Sequence, residues 1–108
     1  MSYSFTVRAA TVTAALAACV AELDKVVEQQ PIHEADRAGA EEAIKGMLGA
    51  LATTPGENEE VLVAVNGYVS WKGSLGSEDN PAVVTSANVT VGASIAVKLA
   101  NPAKPAVA

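Results

Sequence analysis

The sequence predicts an α+β protein in which an antiparallel sheet of three to four strands, in the order β-α-α-β-β, carries a two-helix hairpin on one face. Apolar residues alternate with a period of two near the N-terminus and again in the C-terminal half. Between these regions they recur at three- and four-residue spacings, which is typical of helices. A length of 108 residues, half of them hydrophobic, suits one core. We expect residues 1–100 to form a single domain and residues 101–108 to be a Pro- and Ala-rich tail.

The first thirty residues predict a strand followed by a helix. In residues 2–10 the positions of Tyr3, Phe5 and Val7 alternate with polar ones, as in a half-buried strand. Thr11 stands where a helix N-cap is expected, and helical spacing then continues through residues 12–29.

A second helix is predicted for residues 34–52. Pro31 disfavours helical geometry at Gln30 and therefore separates the two helices. The second helix contains three glycines: Gly39, Gly46 and Gly49. Each costs about 1 kcal/mol relative to alanine, so we expect them to mark a close approach of another backbone, that of the first helix.

Two further strands are predicted in the C-terminal half. Strict alternation in residues 61–71 indicates a strand with Trp71 in the core, in which Gly67 marks a bulge or the close approach of another chain. Residues 72–81 are rich in Gly, Ser and Asn and predict a hairpin loop. Residues 83–98 predict one long strand bent at Gly92, or two short strands.

Charge and composition disfavour two classes of partner. Seven basic residues stand against twelve acidic ones, giving a net charge of −5, which does not suit a nucleic-acid-binding surface. The basic residues are scattered rather than clustered, so an anionic membrane surface is also a poor partner. We expect an acidic, soluble protein.

Cys19 and His33 are the only cysteine and histidine. An internal disulfide is therefore impossible, and a zinc site would lack its usual ligands. Residues 16–19, LAAC, have the form of a lipoprotein cleavage box, but the preceding run is mostly Ala and Thr rather than strongly apolar. We expect Cys19 to be buried on a helix face and unreactive. His33 is expected to end the turn and Asp36 to cap the second helix, with a general acid–base role as the alternative.

The second face of the predicted sheet is small, polar and nearly uncharged. Its candidate interface residues are Leu62, Asn66, Tyr68, Asn88 and Thr90. A solvated face usually carries more Lys and Glu, so we expect this one to be buried in an assembly, with Tyr68 as an anchor. The alternative is that it simply meets water.

Three segments resemble short uncharacterised proteins encoded by tailed bacteriophages and prophages. They are SYSFTVRAAT at residues 2–11, QPIHEADR at 30–37 and VAVNGYVSW at 63–71. The resemblance implies a phage accessory protein of the virion or the bacterial host cytoplasm, not secreted, and brings no catalytic residues with it.

These observations predict a non-catalytic homo-oligomer that requires no cofactor or metal and is a minor virion, capsid-decorating or assembly component. Other virion proteins or a host protein are further candidate partners. The alternative is a small inhibitor that binds a host protein or captures a small signalling molecule, with Arg8, Arg37 and Trp71 as candidate contacts at subunit boundaries.

Overall fold

The computed structural model describes residues 1–98. Its elements are β1 (Ser2–Ala9), α1 (Val12–Gln29), α2 (Arg37–Gly49), β2 (Glu59–Lys72) and β3 (Val83–Val97), and a 3-10 turn (Pro31–Asp36) joins the helices. The α+β class and the β-α-α-β-β order are therefore confirmed. The predicted tail, residues 101–108, lies outside the described residues.

The sheet is antiparallel, with β2 between β1 and β3. Phe5 pairs with Val65, which in turn pairs with Val91. Helix α1 contacts β1 and α2 contacts β3, so both helices cover the same face of the sheet. The outer strands β1 and β3 each leave one edge free of a neighbouring strand within residues 1–98.

The core lies between the helices and the odd-numbered residues of the sheet. Its fully buried members from β2 are Val61, Val63, Val65 and Val69, and the helices contribute Ala15, Cys19, Leu23, Ala40, Ile44 and Leu48. Trp71, expected in the core, is only partly buried. On the β1 side, the described pairing of β2 reaches as far as Val69, which bonds to Met1. Trp71 lies two residues beyond this point and, within residues 1–98, has a neighbouring strand only on the β3 side.

The segment between the helices differs from its prediction. Pro31 starts a 3-10 turn, and α2 begins at Arg37 rather than at residue 34 and ends at Gly49. Asp36 makes no capping side-chain hydrogen bond, whereas Thr11 caps α1 as predicted, its hydroxyl accepting from the Ala14 amide at 3.0 Å.

The glycines differ in how closely other atoms approach them. At Gly67 a close approach is present, but it comes from this chain and not from another one: the Tyr3 ring occupies the space that a side chain at this position would need. At Gly46 and Gly49 an added Cβ would meet nothing within 4 Å. Packing of α1 against these helix glycines was therefore a wrong expectation.

Strand β3 is continuous through Gly92, which pairs with Ala64. Its irregularity lies at Thr85 instead, where Ser70 pairs with Ser86 but Trp71 pairs with Val84. The extra residue makes a bulge and turns Val83, rather than Val84, toward solvent.

Candidate functional site

The exposed face of the sheet brings all five predicted interface residues onto one surface. Asn66 lies between Ser4 and Thr90 on the neighbouring strands, and one rung along the sheet Tyr68 lies between Ser2 and Asn88. Leu62 lies on the same face, two rungs from Asn66 on the other side, paired with Arg8 and Ser94. We call this surface, made of the even-numbered residues of the three strands, the polar face.

Charge is confined to the two ends of the polar face. At one end Arg8 donates to the carboxylate of Glu60, and at the other stands Lys72. The stretch of β2 between them, residues 64–70, spans about 20 Å at roughly 3.3 Å per residue. Over that length the polar face carries hydroxyl and amide groups, the Tyr68 ring and small apolar groups, and no charge.

Tyr68 is the most prominent side chain near the middle of the polar face. Its side chain is 50% exposed. Next to it is an open depression of about 490 Å³ lined by Ser2, Ser4, Asn66, Asn88 and Thr90, among others. Within residues 1–98, the side-chain hydrogen bonds lie elsewhere, at the N-terminus, the helices, the loops and the Arg8–Glu60 pair. The polar groups around Tyr68 are therefore available to water or to a partner.

Behind this surface, on the core side, Tyr3 covers Gly67 and contacts His33. The rings of Tyr3 and His33 meet edge to face, with centroids 4.8 Å apart. His33 is 2% exposed, its Nε2 lies 2.9 Å from Oε1 of Gln30, and its Nδ1 has no partner among the described residues. Burial, aided by the N-terminal ammonium and opposed by Asp36, lowers the pKa of His33. The imidazole is thus a neutral core group, and it lies within the 3-10 turn Pro31–Asp36 rather than at its end as expected.

The three candidate contacts of the capture alternative lie apart in one chain. Arg8 is on the polar face and is paired with Glu60. Arg37 is at the start of α2, where it donates to Asp24. Trp71 is at the loop end of β2. Within residues 1–98, these side chains form no common pocket.

The remaining chemical groups offer little reactivity. Cys19 is fully buried, and burial raises the pKa of its thiol. In the described part of the chain, no three His, Cys, Asp or Glu side chains are grouped so as to hold a metal ion. None of the helices described has the length and apolar character needed to cross a membrane.

One feature was missed in the sequence: the free edge of β3. The signal was present, since the 15 residues of this strand contain neither a charge nor a proline. Proteins usually protect an edge strand with one or the other.

Comparison with known proteins adds no relative. No protein-family model matches the chain, and no match was found among the curated proteins or among the solved structures.

Proposed function

We propose that this chain is a non-catalytic, self-associating protein of phage type that serves as a minor virion, capsid-decorating or assembly component. The observation that carries the proposal is the polar face, a surface of three strands that has charge only at its two ends and the half-exposed Tyr68 near its centre. Tyrosine buries a large area at small entropic cost and is common at the centres of interfaces. The phage assignment is supported by the resemblance of three sequence segments.

The side-chain chemistry supports a role without catalysis. His33 and Cys19, the residues best suited to proton transfer and nucleophilic attack, are both buried away from the polar face. Around Tyr68 the available groups are hydroxyls and amides, which form hydrogen bonds but do not ordinarily ionise near neutral pH.

The proposal is tested by placing charge on the polar face. We expect the wild-type chain to form an oligomer in native mass spectrometry, and the double variant Asn66→Lys, Tyr68→Lys to have a smaller mass. Two lysines at the centre of an interface would be desolvated without partners, at a cost of several kcal/mol. Both positions are exposed in the single chain, so circular dichroism should change little, and the melting temperature should fall only by the amount that association adds.

The matched control is Ala17→Lys, Ala21→Lys, which adds the same charge to exposed positions of α1. This variant should keep the wild-type mass. An unchanged mass in the polar-face variant would exclude that face as an interface. A wild-type monomer at every concentration would contradict self-association, and additional mass per subunit would favour the capture alternative instead.

The virion role has its own test. Tryptic peptides of this chain should appear in purified phage particles at a constant ratio to the major capsid protein. Peptides found in infected cells but not in particles would restrict the role to assembly and remove the virion component.

A further inference from the structure

We propose that the free edge of β3 pairs with β3 of a second copy across a two-fold axis near Val91, which joins two three-stranded sheets into one of six strands. This inference rests on the proposed self-association and names its first interface. It concerns the strand edge, which is distinct from the polar face.

The direction of the free backbone groups follows from two hydrogen bonds. The Lys98 amide donates to the Asn58 carbonyl at 3.0 Å, so even-numbered residues of β3 direct their backbone toward β2. Met1 and Val69 exchange two hydrogen bonds of 2.8 Å, so the odd-numbered residues of β2 direct their backbone groups toward β1 and the even-numbered ones toward β3. This agrees with the direction found for β3. Past the bulge at Thr85, the odd-numbered residues of β3 therefore direct their N–H and C=O groups away from the sheet.

The residues whose backbone groups are directed away from the sheet all have apolar side chains. They are Ala87, Val89, Val91, Ala93, Ile95 and Val97. Four of them, Val89, Val91, Ala93 and Ile95, pack against the core. A strand added here would therefore place its own core-side residues beside an existing apolar layer. Among residues 1–98 no strand pairs with this edge.

The edge is complementary to itself. With the axis at Val91, Val89 faces Ala93 of the second copy and Ala87 faces Ile95, so apolar side chains meet on the core side. On the other side Asn88 faces Ser94, and polar groups meet. The hydrogen-bonded pairs are those of the odd-numbered residues from 87 to 95. There are five of them, and with two bonds each they give about ten backbone hydrogen bonds. The regular edge runs from the bulge at Thr85 to Val97, so its midpoint lies close to Val91.

A groove next to this edge supports the same occupant. It has a volume of about 440 Å³ and lies between α2 and β3, lined by Ala43, Gly46, Met47, Val89 and Val91 among others. Met47 is exposed, and a Cβ at Gly46 would meet nothing in this chain. A two-fold axis near Val91 brings the α2 helices of both copies toward each other, where Gly46 permits close approach.

The free edge of β1 is less suited to pairing with a second copy than the edge of β3. Strand β1 is 8 residues long against 15 for β3, and one of its outward-directed residues is the charged Arg8. Pairing of β1 with β3 of another copy would also be heterologous and would continue into an open polymer. Pairing of β3 with itself closes at two subunits.

Hydrogen exchange of the full wild-type chain tests the proposal directly. The amides of Val89, Val91 and Ala93 should exchange rapidly in dilute protein and slow down as concentration increases. When nine tenths of the chains are dimeric, exchange through the monomer predicts slowing of about tenfold. The outward-directed amides of Ser4 and Thr6 on β1 are the internal control and should not change. Native mass spectrometry at the same concentrations should show even-numbered oligomers, the smallest with twice the 10.9 kDa of one chain.

The variant Ala93→Pro removes one outward N–H from the β3 edge and should halve the number of subunits. The single chain should still fold, because proline is tolerated on a strand edge that faces solvent. Thr6→Pro, on the β1 edge, is its matched control and should keep the wild-type number of subunits. If Ala93→Pro does not fold, the exchange measurement on the wild-type chain decides the question alone.

Four results would overturn the inference. An oligomer whose β3 amides exchange rapidly at every concentration would refute edge pairing and leave the proposed self-association intact, whereas a wild-type monomer would refute both. Masses that grow without limit would indicate pairing of β1 with β3. Protection in a monomer that disappears on deletion of residues 99–108 would assign the edge to the chain's own C-terminal segment.

Discussion

Replacing Gly67 with alanine tests the packing of the N-terminal strand against the centre of the sheet. Gly67 lies on the core side of β2, directly opposite Tyr3. The Tyr3 ring lies over its Cα, and an added Cβ would come far inside the 3.0 Å that real Cβ atoms respect. The variant Gly67→Ala therefore forces the ring to move.

The cost follows from what the ring contacts. Tyr3 stacks on Phe5 with centroids 6.1 Å apart and meets His33 edge to face at 4.8 Å. Aromatic pairs contribute about 0.5–1.5 kcal/mol each, and overpacking costs about 1–3 kcal/mol. Against this, alanine in a strand gains about 0.5–1 kcal/mol over glycine. We expect Gly67→Ala to reduce the free energy of unfolding by about 2 kcal/mol.

The sign of the effect should reverse once the ring is removed. In a Tyr3→Ala background, Gly67→Ala should increase the free energy of unfolding by about 0.5 kcal/mol, since only the backbone term remains. The two residues are then coupled by about 2.5 kcal/mol in a double-mutant cycle. Urea unfolding of the four chains at one dilute protein concentration measures this. A coupling below about 0.5 kcal/mol would show that the ring does not cover the glycine.

Three further predictions address the helix cap, the cysteine and the histidine. Thr11→Ala should lower the free energy of unfolding by about 1 kcal/mol through loss of the cap bond to Ala14; the exposed Thr13→Ala is the control and should not destabilise. Cys19 should react with a thiol reagent only when the chain unfolds, because it is buried with a raised pKa; labelling of the native chain at the rate of a free thiol would contradict this. Because the pKa of His33 is lowered in the folded chain, the unfolded chain binds a proton at this residue at a higher pH than the folded chain does. The free energy of unfolding should therefore fall as the pH drops below about 6.5, with a limiting slope of about 1.4 kcal/mol per pH unit. His33→Gln should flatten this part of the pH profile in chemical unfolding, and an unchanged slope would refute the assignment.

The elements predicted correctly are those in which the hydrophobic period has one interpretation. In β1 and β2 the alternation of residues such as Phe5 and Val65 leaves no doubt about the core side, and Thr11 fixes the start of α1. The bulge at Thr85 could not be read in the same way, because Val83 and Val84 are both apolar and either suits the core. Only the pairing with Trp71 decides between them.

The candidate surface was predictable for a related reason, and the parts that were missed depend on tertiary structure. Even-numbered positions in three strands share a face, so Asn66, Tyr68 and Asn88 could be grouped from the sequence. The burial of His33 and the space beside Gly46 depend on how separate elements meet, which no local pattern records. The strand order also decides that β3, rather than β2, has a free edge.

Strand β3 contributes to both proposed interfaces through groups that do not overlap. Its even-numbered side chains, such as Asn88 and Thr90, belong to the polar face, whereas its odd-numbered residues supply the free backbone groups of the edge. A lysine at Thr90 would therefore place charge on the polar face and leave the edge hydrogen bonds in place. A proline at Ala93 would remove an edge donor without changing a side chain of the polar face. Since the two substitutions lie three residues apart in one strand, their separate effects on subunit number would show whether each surface joins subunits independently of the other.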